Sequence, residues 1–343
     1  MGGSMQSPEM PPAAVMMQML LGRFVSQAIG AAAKLKIADH LASGPKTAAE
    51  IAPQCGAQAD ALHRLLRALA SLGIFSEQEP GRFVNTPLSE TLRDAPGSVR
   101  PMALFFNHAS HLKAWAELDH SVRTGESGFI AAHGMPPWEY METPAGADTG
   151  AVFNEAMTAL SAQFAPAAAQ AYDFSDIGTL VDVGGGHGLL LRTVLAKHPS
   201  LRGVLFDLPQ VVEGAHAPMK ASGLDDRMTI VGGSFFEEVP AGDAYIMKHI
   251  IHDWDDDKAI QIFKTIAKQA KPGTKLLLVE GVIKPGNDPD MGKIIDLEML
   301  VVTTGGRERT EDEYRAILKS GGFTLRRVVP TMSPMSVIEA TRD

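Results

Sequence analysis

The sequence predicts an α/β protein in which a mainly helical, winged-helix-like first half precedes a parallel sheet wrapped by helices. Up to about residue 170 the chain is rich in Ala, Leu and Met and has few β-branched runs. Beyond that point short β-branched runs alternate with helical stretches, the pattern of strands joined by crossover helices. A glycine cluster, Gly184-Gly-Gly-His-Gly188, directly follows the first of these runs.

The opening Met-Gly-Gly-Ser-Met reads as an appended tag, and residues 1–10 are expected to be disordered. Val15 to Leu35 is apolar but broken by Gln18, Arg23, Ser26, Gln27 and Lys34, so it predicts an amphipathic or buried helix rather than a membrane span. Thr47-Ala-Ala-Glu50 is a capping-box pattern that starts a short helix. Asp60 to Leu72 has apolar residues at helical spacing, and Phe75 to Val84 predicts a hairpin around the Pro80-Gly81 turn. Helix, helix and hairpin is the winged-helix order, assigned to a domain over 11–105. A helical linker over 106–170 and an α/β domain over 171–343 follow. The predicted strands of that domain are Gly178–Val183, Gly203–Phe206, Met228–Val231, Ala244–Met247, Lys275–Val279 and Leu325–Val329.

Composition narrows the function. The chain has 343 residues and a formal charge of −9, which argues against a nucleic-acid partner. The winged-helix-like stretch from Pro45 to Ala95 sets Lys46, Arg64, Arg67, Arg82 and Arg93 against Glu50, Asp60, Glu77, Glu79, Glu90 and Asp94. One acid more than bases is a poor footprint for phosphate, and scaffold or dimerisation use is favoured. One cysteine, Cys55, builds no disulfide framework, so a reducing cytoplasm fits. No membrane partner is expected.

Glycines at a strand-to-helix turn let the backbone approach a ligand where a side chain would collide. Gly184, Gly186 and Gly188 give G-x-G-x-G, whereas the dinucleotide fingerprint wants its third glycine where Leu189 stands. Asp207 ends the next strand about twenty residues on, where an acid in such a sheet accepts from both ribose hydroxyls. Together these point to a nucleoside cofactor other than NAD.

Five segments then occur in a recognisable order: VDVGGGHG from Val181, FDLP from Phe206, Lys248-His-Ile-Ile-His-Asp-Trp254, Leu278-Val-Glu-Gly281 and Gly305-Gly-Arg-Glu-Arg-Thr310. Over essentially its whole length the chain resembles the plant caffeic acid and bacterial antibiotic O-methyltransferases. The resemblance implies a Rossmann-like class I methyltransferase sheet with an N-terminal dimerisation domain. It also implies a homodimer, S-adenosylmethionine as cofactor, and an acceptor carrying a phenol-like hydroxyl. Carried over by position, Gly184, Gly185 and Gly186 hold the methionine part, Asp207 the ribose, and Leu208 lies against adenine. Ser234 and Phe235 stand where relatives often have an acid and a large apolar residue, so Ser234 is a departure. Lys248 matches a lysine near the cofactor, and Met157 and Ser161 match a segment closing over the methionine end.

Methyl transfer to a hydroxyl needs the proton removed, and histidine is the natural base. His249 and His252, three apart, could share the face of one helical turn. His252 matches the family's base, and the resemblance places Glu280 and Glu308 beside its imidazole. Asp253 reads as a cap or structural acid and Trp254 as a pocket wall. Asp255, Asp256 and Asp257 suit a helix N-terminus better than a metal, so no metal is expected. The acceptor pocket is assigned to Phe105, Phe106, Asn107, His111, Trp115, Met157, Met299, Val302 and Thr303. The alternatives are the same fold and cofactor used for hydroxylation or decarboxylation, or a non-catalytic winged-helix regulator. An intact His and Glu set favours methylation.

Overall fold

The computed structural model describes residues 10–343, in two compact units, 10–108 and 109–343. The proposed tag therefore lies outside the described residues, Met10 excepted.

The first unit opens with α1 (Pro12–Lys34), which leaves Met16, Met17, Met19, Leu20, Leu21 and Phe24 exposed. Helix α2 (Ala48–Cys55) starts as predicted: the Thr47 hydroxyl accepts from the Glu50 N–H while the Glu50 carboxylate accepts from the Thr47 N–H. Helix α3 (Ala59–Ser71) buries Leu62, Leu66 and Leu69. Strands β1 (Lys46–Thr47), β2 (Phe75–Glu79) and β3 (Arg82–Asn85) form a small antiparallel sheet in the order β1-β3-β2. Its hairpin turns at Gly81, where φ is +77° and only glycine is unstrained.

The second unit is built on seven strands: β4 (Thr179–Val183), β5 (Arg202–Asp207), β6 (Met228–Gly232), β7 (Ala244–Lys248), β8 (Lys275–Gly281), β9 (Phe323–Pro330) and β10 (Met335–Arg342). Their order is β6-β5-β4-β7-β8-β10-β9. The first five are parallel, and β10 inserts antiparallel between β8 and β9. All six predicted strands are present within a residue or two at most ends, whereas β10 was not predicted. Helices α4 (Ala147–Ala171), α5 (Leu189–Lys197), α6 (Asp256–Gln269), α7 (Met291–Val302) and α8 (Glu311–Ser320) complete the elements used below.

The strands read as continuous apolar runs because the sheet is covered on both faces. Leu180, Ile246, Leu277 and Val279 pack in one core cluster, while their strand neighbours Val181, Tyr245, Leu276 and Leu278 pack in another. The chain leaves β4 in one direction for β5 and returns on the other side as β7. Ligands bind at the carboxyl ends of strands beside such a switch. Here those ends carry Gly184, Asp207, Lys248 and Glu280. Among the described residues no helix is long and apolar enough to cross a membrane.

Candidate active site

The glycine loop is stitched to the end of β5. The N–H groups of Gly184 and Gly185 donate to the Phe206 carbonyl, and the Gly186 N–H donates to Asp207 Oδ2 at 2.8 Å. The other Asp207 oxygen accepts from the Leu208 N–H at 2.7 Å. Burial pushes the Asp207 carboxyl up, and these two N–H groups oppose that. A Cβ at Gly184 would strike Ile250, and one at Gly185 would strike Leu205 and Asp182. At Gly186, with φ +58°, a Cβ would meet nothing within 4 Å, so open space lies beside Asp207. Leu208, which follows Asp207, is 41% exposed.

The other expected cofactor residues lie just past β6, at the end of β7 and on α4. Ser234 Oγ accepts from the Phe236 N–H, and Phe235 packs on Phe236 and edge-on to Trp254. Trp254 is thus part of an aromatic cluster with Lys258 over its ring. Ser161 donates to the Met157 carbonyl within α4, and one turn away Thr158 meets His187 of the loop at 3.3 Å. Lys248 ends β7, its ammonium pKa lowered by burial and supported by the charges of Asp182, Glu280 and Asp253. Asp182, in the middle of the glycine-loop strand, is the buried acid that sequence reasoning passed over. Burial carries its pKa to about 7 against the pull of Lys248.

The His252 cluster gathers three separate segments. A 3-10 turn, Ile251–Asp253, follows β7 and buries His252. Its Nδ1 lies 2.7 Å from Glu308 Oε1, and since a carboxylate only accepts, Nδ1 carries the proton. Glu280, fully buried at the end of β8, accepts from the N–H groups of Ile250 and Ile251 at 3.0 and 2.9 Å. It thereby anchors the turn carrying His252, and it acts on the imidazole through charge. Asp253, read from the sequence as a cap or structural acid, has its Oδ1 3.5 Å from His252 Nε2, so it faces the imidazole. Burial works against a charged His252, but Asp253, Glu280 and Glu308 outweigh it and raise its pKa to about 10. Burial likewise raises Asp253 to about 6 and Glu280 to about 7, with the histidine's charge opposing.

His249 does share a face with His252, the rings stacked at 5.1 Å and 15°, but not on a helix. Its φ is +53°, a left-handed conformation that turns the chain between β7 and the 3-10 turn. Burial, Lys248 and His252 hold its pKa well below the histidine range.

A second layer holds this turn in place. Arg309 is fully buried; it donates to the carbonyls of Ile251 and Trp254 and pairs with Asp256 at 2.8 Å. Asp255 caps α6 through the Lys258 N–H, so these two acids have structural uses. Asp296 on α7 accepts the Glu308 N–H, and the Arg307 N–H donates to the His252 carbonyl. Gly306 packs so closely that a Cβ would lie 2.5 Å from the His252 carbonyl oxygen and 2.8 Å from the Asp253 carbonyl carbon. Gly306→Ala should therefore cost about 1–3 kcal/mol and lower Tm by roughly 2–12 °C, read by scanning calorimetry. An unchanged Tm would show that this turn has room to give.

Among the residues assigned to the acceptor, His111 and Trp115 both meet Glu298 of α7. Met299 and Thr303 are buried, and Val302 is partly so. Thr303 spends its hydroxyl on the turn, donating to Met299 and accepting from Gly306. Asn107 belongs to the first unit, where its amide donates to the Ala103 carbonyl.

A model of the O-methyltransferase domain matches residues 115–324, and one of the O-methyltransferase dimerisation domain matches residues 17–94. The chain belongs to the O-methyltransferase family. The methyltransferase is 43% identical over 332 residues to phenazine O-methyltransferase of Lysobacter antibioticus, covering 96% of each chain. It is 38% identical to mitomycin biosynthesis 6-O-methyltransferase of Streptomyces lavendulae, covering 94% of this chain and 93% of that one. An O-methyltransferase from neocarzinostatin biosynthesis, solved with S-adenosylmethionine and 2-hydroxy-5-methyl naphthoic acid, shares 34% identity at a TM-score of 0.79, with 93% and 96% coverage. The chain is an S-adenosylmethionine-dependent methyltransferase of class I fold, and its winged-helix-like half carries a dimerisation domain. The open space at Gly186 beside Asp207 fits that cofactor on geometry alone.

Proposed function

We propose that the enzyme methylates a hydroxyl of an aromatic natural product, with His252 as general base, and works as a homodimer. The observation that carries this is the 2.7 Å contact of His252 Nδ1 with Glu308 inside a buried group of three carboxylates. S-adenosylmethionine supplies an electrophilic methyl group on a sulfonium. Gly184, Gly185 and Gly186 bound its methionine end, together with Lys248 and Ser161. Asp207 takes the ribose, with Leu208, Ser234 and Phe235 at the adenine end. His111, Trp115, Met157, Met299, Val302 and Thr303, all of the second unit, serve the acceptor. The exposed apolar residues of α1 fit a surface that a second copy covers.

Glu308 fixes the tautomer that leaves His252 Nε2 able to take a proton. Asp253 and Glu280 stabilise the imidazolium that forms. The same carboxylates raise the His252 pKa, which makes the imidazole a stronger base toward a phenol's proton. Activity then rises toward alkaline pH as His252 loses its resting proton.

The sign of the Glu308 contribution is testable. Removing its charge in Glu308→Gln makes the imidazolium less stable, so the acid limb of kcat/KM moves to lower pH, by roughly one unit or more. The plateau falls at the same time. A limb that stays in place or moves to higher pH rules out this pairing as the source of the base's pKa. The function itself is tested with methyl-labelled S-adenosylmethionine and a panel of hydroxylated aromatics. Mass analysis should show the gain of one methyl group, and a gain of oxygen or loss of carbon dioxide instead would overturn the reading.

A further inference from the structure

Helix α7 carries two acids with different clients. Asp296 accepts the backbone N–H of Glu308, the residue bonded to His252. Glu298, 7% exposed, receives two donors on its two oxygens: His111 Nε2 at 2.8 Å on Oε1 and Trp115 Nε1 at 2.5 Å on Oε2. A buried carboxylate is costly unless paired, and this one is paired twice. His111 and Trp115 stand four apart on the helix Ala109–Trp115, so one side of that helix faces the carboxylate. Asp296 and Glu298 are two apart and so lie on roughly opposite sides of α7. One rigid helix thus ties the base loop on one side and the His111 and Trp115 side chains on the other.

We propose that Glu298 is the positioning residue that sets acceptor specificity, by holding His111 and Trp115 at a fixed separation from His252. This rests on the reading of those two residues as acceptor-facing. With its N–H spent on Glu298, the half-buried Trp115 offers the acceptor aromatic ring surface, and the buried His111 backs it from one turn away. That favours flat polycyclic hydroxyaromatics over small single rings, which gain less from stacking area.

Glu298→Gln keeps the side-chain shape but presents an amide NH₂ to one of the two donors, which breaks that bond. Trp115→Phe removes one donor and keeps most of the ring. Steady-state kinetics at saturating S-adenosylmethionine on one-, two- and three-ring phenols should show KM for the best acceptor up about tenfold in Glu298→Gln, the loss of a charged hydrogen bond. The rank order of acceptors should change, while kcat, the acid limb of the pH profile and the calorimetric affinity for S-adenosylhomocysteine stay close to wild type. The double variant should fall short of the sum of the two single effects, because Glu298→Gln removes the charge that holds Trp115 as well as His111. The proposal is overturned by unchanged KM values and rank order, by additive effects of the two substitutions, or by parallel losses in kcat and S-adenosylhomocysteine affinity. Wild-type enzyme run on the same panel separates the two readings. A failure of methyl transfer appears in the wild type, and a failure of Glu298 appears in the variants alone.

Discussion

His252→Ala should reduce turnover by about 10² to 10⁴-fold while the affinity for S-adenosylmethionine, measured by calorimetry, stays near wild type. The asymmetry follows from where the parts sit. Most of the residues proposed for the cofactor lie on the glycine loop and at the end of β5, tied together by Asp207 and backbone N–H groups in bonds that do not involve His252. The imidazole instead belongs to the cluster of Asp253, Glu280 and Glu308 after β7. Removing the ring takes away the proton acceptor and leaves the cradle. Raising the pH should recover part of the lost rate, because a phenol of pKa about 10 ionises without help there. Undiminished turnover at neutral pH would eliminate general-base catalysis by this residue. A large loss of cofactor affinity would instead place the ring in the cofactor site.

Arg309→Ala should be as damaging to the enzyme by another route. Arg309 is fully buried and satisfies the carbonyls of Ile251 and Trp254, which bracket the turn bearing His252. Its ion partner Asp256 is half exposed, so water screens that pair and it contributes little. The loss comes from one buried and one part-buried carbonyl left without a donor and from the vacated volume, about 2–5 kcal/mol together. For a unit of this size that is a Tm lower by roughly 4–20 °C. A displacement of His252 by about 1 Å would cost roughly a further 10²-fold in rate. Arg309→Lys should fail to rescue, since one ammonium cannot reproduce the planar fork that reaches both carbonyls and Asp256. A Tm within a degree or two of wild type in Arg309→Ala would show that the turn holds itself.

The two substitutions separate chemistry from support. His252→Ala is expected to fold and bind cofactor without turning over, and Arg309→Ala to lose stability and rate together.

Much of the fold was legible along the chain. The central strands β4, β7 and β8 are buried runs bounded by turns, and their burial on both faces is what makes the runs continuous. The capping box at Thr47 and the hairpin at Gly81 rest on local chemistry that no distant contact alters. Strand β10 escaped because Glu339 interrupts its apolar run; in the sheet that acid pairs with Arg327 of β9 at 2.7 Å. A charge that is satisfied by a neighbouring strand looks, in sequence, like a charge that faces water.

The site divided in the same way. The glycine spacing, Asp207 at the next strand end and the His-Asp-Trp segment were visible because each depends on residues within a few positions. The helical turn expected for His249 and His252 was not formed, since His249 adopts a left-handed conformation instead. Asp253 therefore faces the imidazole it was not expected to meet. The partnership of Glu298 with His111 and Trp115 spans more than 180 residues and leaves no periodic trace. By itself the sequence determined the strands, the glycine loop and the residue types able to hold a cofactor and move a proton. Only the tertiary structure decided that Asp253 joins Glu280 and Glu308 around His252, and how Arg309 and α7 hold that turn in place. Local spacing governs backbone conformation, whereas charge and hydrogen bonding act across space between segments that the fold alone brings together.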